Sequence, residues 1–364
     1  MTRFVDPVQR EREPRMPPEG PGVHGSVTLG ELRALGLCPK DVLDFSANIN
    51  PYGPSPAVRA AVRDAPFDCY PDRDCLELTA ALAEFEGVAP ERLLPGNGAS
   101  ELIGLSALAF VKPDRRVLVL GPTYCEYARA AALLGGCVAE WVAREENNFV
   151  PEPEQIAGWL EAVRPHVVFL CNPNNPTGAV LPPETIAAWA RRHPRTLFVV
   201  DEAYLPFATG LGSALSGENV LVLRSMTKDF GLAGLRLGYA IGDERTIALL
   251  RRVQPPWSVN TPAQAAGVAA LRDTPYHQRC LELIAQAKQH LVAGLARLGF
   301  APVPSATHFF LVRVGDGAAF RTALLRRGVA VRDCASFGLP AYVRIAARRL
   351  EENERLLAVI REGV

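Results

Sequence analysis

Apolar positions along this chain change their period repeatedly between residues 100 and 241. Helical spacing over 100–111 gives way to a short apolar strand at 116–120, then to helical spacing over 124–134. A strand at 167–171, a helix at 185–192 and strands at 197–200 and 220–223 follow. Short apolar runs separated by helical patterns predict buried strands with crossover helices. The expected fold class is therefore α/β around a mostly parallel sheet. Residues 237–241 read as one more strand, a candidate for antiparallel pairing. Upstream, 29–35, 55–63 and 76–85 read as helices, whereas 44–54, polar and punctuated by glycine and proline, reads as a loop rather than core. Downstream, 255–262 interrupts the pattern and a long helix runs over about 274–298. After it, 309–314, 319–326, 329–331 and 342–345 predict a small α+β domain. The expected organisation is an N-terminal arm with small-domain elements over 1–54, a large domain over 55–262, and an interdomain helix with a C-terminal small domain over 263–364.

Composition narrows the class. The 364 residues are 48% hydrophobic, enough for a sizeable core in two domains. Basic and acidic side chains balance at 39 each. There is no basic stripe, zinc-finger spacing or P-loop, so neither nucleic acid nor a metal is an expected partner. No segment approaches the roughly 20 apolar residues that span a bilayer. The opening MTRFVDPVQREREPRMPPEGPG is charged and proline-rich and lacks the apolar centre of a signal peptide. It reads as a flexible arm that packs on a partner subunit. The eight cysteines lie far apart, several inside apolar runs, where free cysteine packs as a small hydrophobe. Free thiols and a cytoplasmic setting are expected.

The chemistry-bearing residues fall at the carboxyl ends of the predicted strands, where open α/β sheets gather their sites. In Ser225-Met-Thr-Lys228, a lysine able to form an imine stands among hydroxyl residues, with Arg236 downstream. Ser225, Thr227 and Arg236 can hold a phosphate beside it, the arginine through its planar fork. An aldehyde that carries its own phosphate is pyridoxal 5'-phosphate, which pairs a lysine imine with an acid for its pyridine nitrogen. Asp201, directly after 197–200, suits that acid. Asn175, in a turn stiffened by prolines, and Tyr204 can donate to the 3'-oxygen of the ring. Gly96-Asn-Gly98-Ala99-Ser100 precedes a helix whose free N–H groups and dipole suit the phosphate. Tyr124, after 116–120, is a candidate to stack on the ring. Taken singly, each has a plainer reading: Asp201 as a helix cap, Asn175 as an Asx-turn, Ser100 as an N-cap and Tyr124 as core. Their joint occurrence in this order favours the cofactor.

Asn175-Pro-Thr-Gly178, Asp201-x-x-Tyr204, Ser225-x-x-Lys228 and Arg236 resemble, in kind and order, the pattern of fold-type I pyridoxal-phosphate enzymes of the aspartate-aminotransferase superfamily, over nearly the whole chain. The resemblance implies Lys228 as the Schiff-base lysine, Asp201 as the pyridine partner, and Asn175 and Tyr204 as ligands of the 3'-oxygen. It implies Arg344 as the substrate-carboxylate ligand and a homodimer in which Tyr70 reaches the partner's cofactor phosphate. Within the superfamily, His24-Gly-Ser, Phe45-Ser-Ala-Asn48-Ile-Asn50 and Tyr70-Pro-Asp resemble threonine-phosphate decarboxylase of cobalamin biosynthesis, a close relation of histidinol-phosphate aminotransferase. This closer resemblance implies that His24, Asn48, Arg332 and Arg344 contact the carboxylate or phosphate of a phosphorylated amino acid. The arm departs from that family's usual His-Gly-Gly-Asn, reading His24-Gly-Ser-Val27.

The expected reaction is decarboxylation of L-threonine O-3-phosphate to (R)-1-aminopropan-2-yl phosphate and CO2. Serine phosphate is a second candidate substrate. The alternative reaction is transamination of histidinol phosphate with 2-oxoglutarate. The cofactor makes any Cα bond perpendicular to its ring labile, so the residues named leave the choice between losing a proton and losing CO2 open.

Overall fold

In the computed structural model the described residues are 27–363, so the expected N-terminal arm segment 1–22 and His24 lie outside them. Among the described residues twelve strands carry the architecture: β1 (Leu43–Asp44), β2 (Leu93–Gly96), β3 (Arg116–Gly121), β4 (Cys137–Val142), β5 (Val167–Cys171), β6 (Leu197–Asp201), β7 (Val220–Ser225), β8 (Gly238–Ile241), β9 (Phe309–Arg313), β10 (Val329–Ala330), β11 (Arg332–Asp333) and β12 (Tyr342–Ala346). The large sheet has seven strands in the order β2-β8-β7-β6-β5-β3-β4. Strands β4, β3, β5, β6 and β7 pair in parallel, and β8 runs antiparallel to both its neighbours. Every residue of β5 and β6 is buried, because helices cover both faces. That double coverage is why these strands read as unbroken apolar runs. Successive residues still part to opposite faces: Val168 and Leu170 join one core cluster, Val167 and Phe169 the other.

Three of the large-domain helices begin where a side-chain oxygen meets free N–H groups. Ser55 caps Pro56–Asp64, Asp243 caps Glu244–Val253 and Asn260 caps Thr261–Arg272. The long helix Thr274–Arg297, 24 residues, then leads to the small domain. There β11, β12 and β9 form an antiparallel sheet. The N-terminal strand β1 pairs in parallel with β10, so the start of the described chain belongs to this domain.

The segment 44–54 differs from its reading as a loop rather than core. Phe45, Ser46, Asn48 and Asn50 are buried. It runs between the two domains, where the Asn48 amide donates to Tyr204 and the Asn50 amide to the Asp229 carbonyl. All eight cysteines are free. Among the described residues no helix is long and apolar enough to cross a membrane.

Candidate active site

Three parallel strands deliver the reactive groups. Asp201 ends β6, Asn175 stands in the turn after β5, and Lys228 lies in the loop after β7. Asp201 is buried and held at both oxygens. Its Oδ2 accepts from the Tyr127 hydroxyl at 2.7 Å and its Oδ1 from the Ala203 N–H at 2.9 Å. Burial raises its pKa, while these two donors and the Lys228 amine pull it back. Tyr127 is itself buried and stacks nearly parallel on Phe169, 5.8 Å between centroids.

Lys228 faces the Tyr204 ring, its Nζ 5.9 Å from the centroid. Burial, then the nearby guanidiniums of Arg344 and Arg236, bring its pKa down to about 8, against the pull of Asp201. Tyr204 packs edge-on to Phe309 and accepts from the Asn48 amide at 3.3 Å. Burial raises the pKa of its phenol. Arg344, central in β12, donates to Asn175 Oδ1 and, at 2.6 Å, to the Ser46 carbonyl. One side chain thus joins the large-domain turn, the 44–54 segment and the small sheet.

The cradle is built from three pieces. Gly98, φ +78°, opens the helix Gly98–Phe110, and a Cβ there would come within 2.8 Å of the Arg236 guanidinium. Only glycine lets that arginine close over the helix start, where Ala99 and Ser100 follow. Arg236 has φ +59°, unusual for a side-chain-bearing residue, and anchors on the Ala233 carbonyl at 3.2 Å. The Ser225 and Thr227 hydroxyls are 2.6 Å apart and buried. Helix-terminal N–H groups, two hydroxyls and a guanidinium form a donor set suited to a phosphate dianion. A lysine amine in the loop after β7 and a fixed buried carboxylate at the end of neighbouring β6 complete the set, so these residues fit pyridoxal 5'-phosphate. Tyr124 lies edge-on to Tyr127, 5.7 Å between centroids, and bonds Ser100 of the cradle.

Arg332 and Arg344 are direct cross-strand partners of the β11–β12 pair. Both are buried, which lowers the pKa of each, and Arg344 lowers that of Arg332 further. Arg332 donates to Ser336 at 2.7 Å and lies over the Phe337 ring. Two buried cations in register are costly unless anions meet them. Tyr70 lies away from this group. It is exposed and stacks on Trp257 at 4.7 Å, beside Ser258, whose hydroxyl bonds Glu101 in the first turn of the cradle helix.

The reading of the residues missed Tyr127. The one signal for it was position, one helical turn beyond Tyr124 after β3. It also missed the backbone role of Ser46, which no side-chain pattern announces.

A model of the family "Aminotransferase class I and II" matches residues 40–360. Histidinol-phosphate aminotransferase 2 of Ralstonia nicotianae is 36% identical over 359 residues, 94% of each chain. Histidinol-phosphate aminotransferase of Symbiobacterium thermophilum is 38% identical over 94% of this chain and 96% of its own. Among solved structures, histidinol-phosphate aminotransferase from Sinorhizobium meliloti in complex with pyridoxal-5'-phosphate superposes with a TM-score of 0.83 at 28% identity. That match covers 93% of this chain and 96% of the other. Aspartate aminotransferase from Thermus thermophilus with maleate gives 0.80 at 27% identity, over 92% and 94%. The fold is that of aspartate aminotransferase, with large and small domains, and the cofactor is pyridoxal 5'-phosphate.

These relatives overturn the expected carboxy-lyase. Neither threonine-phosphate decarboxylation nor a place in cobalamin biosynthesis stands, and the enzyme is of the aminotransferase type. The reason lies in what the quoted residues do. The roles expected of Asn175, Asp201, Lys228 and Arg344, toward the cofactor and a carboxylate, are common to both reactions, and short stretches such as His24-Gly and Phe45-Ser-Ala-Asn48 carried the whole distinction.

Proposed function

Because the chain belongs to the class I and II aminotransferases, we propose that it transfers the amino group of histidinol phosphate to 2-oxoglutarate, as a homodimer. The full-length similarity to histidinol-phosphate aminotransferases carries the reading. The paired guanidiniums of Arg332 and Arg344 support it, because both partners of the reaction are anions.

Pyridoxal 5'-phosphate, when bound, supplies an aldehyde that takes up the amino group and an electron-poor ring that stabilises negative charge at Cα. Asp201 keeps the proton on the ring nitrogen. Its two oxygens are already held by Tyr127 and Ala203, so the carboxylate is oriented before anything binds. The hydroxyls of Ser225 and Thr227, the N–H groups at Gly98–Ser100 and Arg236 bind the cofactor phosphate. Tyr124 would stack on the ring, and Asn175 and Tyr204 would bind its 3'-oxygen.

Lys228 moves the proton at Cα. Its pKa near 8 leaves a substantial share of neutral amine at mild pH. Arg344 takes the carboxylate of 2-oxoglutarate, with its planar fork matched to two oxygens. Arg332, with Asn48 and His24, takes the phosphate of histidinol phosphate. Tyr70, exposed on the large domain, reaches the partner's cofactor phosphate.

The test is direct. Purified enzyme with histidinol phosphate and 2-oxoglutarate should form glutamate and a keto product in equal amounts. Histidinol phosphate alone should change the cofactor absorbance in a single turnover. Absence of glutamate, or CO2 released from threonine phosphate without it, overturns the proposal.

A further inference from the structure

Lys228 is held by its backbone as well as by its surroundings. Its carbonyl accepts from the Asn50 N–H at 2.9 Å and from Gly231 at 3.3 Å. The next carbonyl, that of Asp229, accepts from the Asn50 amide at 2.8 Å. The Asp229 carboxylate, almost wholly buried, points the other way. Its Oδ2 meets His277 Nε2 at 2.8 Å, while its Oδ1 has no protein partner. His277 stands in the first turn of the long helix Thr274–Arg297, and its ring lies flat on Phe230, 4.1 Å between centroids at 12°. The preceding residue, Tyr276, donates to the Tyr52 and Gly53 carbonyls, each at 3.3 Å. Gly231 packs against Gly53 so closely that a Cβ on it would lie 2.9 Å from backbone.

These contacts form one clamp. A single helical turn, reached from a distant part of the chain, grips the two residues after the lysine and the segment that bonds the lysine's own carbonyl. Resting on the reading that Lys228 carries the cofactor, we propose that His277 is a positioning residue. Through Asp229 and Phe230 it fixes the loop that aims the Lys228 amine. The residue touches no reacting atom. Its effect passes through the backbone of 228–230, and the same turn ties that backbone to the helix leading into the small domain.

The experiment uses the cofactor-loaded enzyme without substrate. The absorbance band of the lysine-bound cofactor is titrated against pH for the parent, His277→Phe and His277→Gln. The Phe variant keeps the stack on Phe230 and loses the bond to Asp229, whereas the Gln variant keeps a neutral donor. The expected result is a midpoint displaced by about half a pH unit or more in the Phe variant, and restored in the Gln variant. With both substrates, the Phe variant should lose kcat while KM stays near the parent's. A Phe midpoint coinciding with the parent's, with or without a lower Tm, assigns His277 to packing alone and overturns the proposal. If the Phe variant does not fold, Asp229→Leu, which fills a similar space and removes the acceptor, is read by the same two outcomes. Lys228→Ala is measured alongside. A band that survives in it overturns the site reading itself, whereas unmoved midpoints with a band that depends on Lys228 overturn only the role of His277.

Discussion

The two walls of the cleft are prepared in opposite ways. On the large-domain wall, Asp201 has both oxygens met by fixed donors, and the Ser225 and Thr227 hydroxyls pair with each other. On the small-domain wall, two buried guanidiniums face one another across a strand pair. Arg344 donates there to an amide and a carbonyl oxygen rather than to a carboxylate. The first wall is settled by the protein before a ligand arrives, as a group meant to hold one resident partner must be. The second sets two guanidiniums side by side in register, which suits anionic partners that come and go. The difference shows where binding energy is drawn: rigid placement on one side, charge compensation on the other.

The sharpest way to break the contrast is Lys228→Ala. It should lower turnover by about 10³-fold or more and abolish the absorbance of the lysine-bound cofactor. Unchanged turnover would remove the large-domain wall from the chemistry. On the other wall, Arg344→Lys keeps the charge and loses the fork, so kcat/KM for 2-oxoglutarate should fall about 10- to 100-fold. Steady-state kinetics would show whether shape or charge alone matters there.

Arg332→Gln should cost about tenfold in kcat/KM for histidinol phosphate, and much less for unphosphorylated histidinol. Equal losses for both would detach Arg332 from the phosphate. Tyr127→Phe leaves a buried carboxylate oxygen short of its donor. A loss of about 1–3 kcal/mol in stability is expected, seen by denaturant unfolding, with substrate KM unchanged.

The smallest effect is electrostatic. In cofactor-free protein, the rate of Lys228 acylation against pH should show a midpoint of about 8. Burial and nearby cations disfavour the charged amine, so removing one cation must raise that value. Arg344→Gln should therefore shift the midpoint upward, toward the ordinary lysine range. The stability linkage has the same sign. Below the depressed pKa the folded protein bears the full cost of a charged, buried Lys228, and that cost fades as pH rises through the window between the folded and unfolded values.

Residues that act through their neighbours in sequence were legible from the start. Strand β5 was read to its exact ends because it is buried on both faces and bounded by a proline-stiffened turn. Asn175, Asp201 and Lys228 stood out because each follows such a strand. Edge strand β4 was missed, since its half-exposed Cys137–Val142 lacks both the continuous apolar run and a clean alternation. The helices Glu244–Val253 and Thr261–Arg272 were missed although Asp243 and Asn260 announce their starts. The choice between transamination and decarboxylation was misjudged because the residues shared by the two reactions outnumber those that separate them.

What the chain determined by itself was therefore the alternation that builds a parallel sheet and the chemical types at its strand ends, both consequences of local periodicity and residue identity. What only the tertiary structure decided was which of those groups meet. Tyr127 reaches Asp201 across 74 positions, and Arg344 reaches Asn175 across 169. Arg332 stands opposite Arg344 because of strand register. Contacts of that kind depend on the packing of whole elements, and no local pattern encodes them.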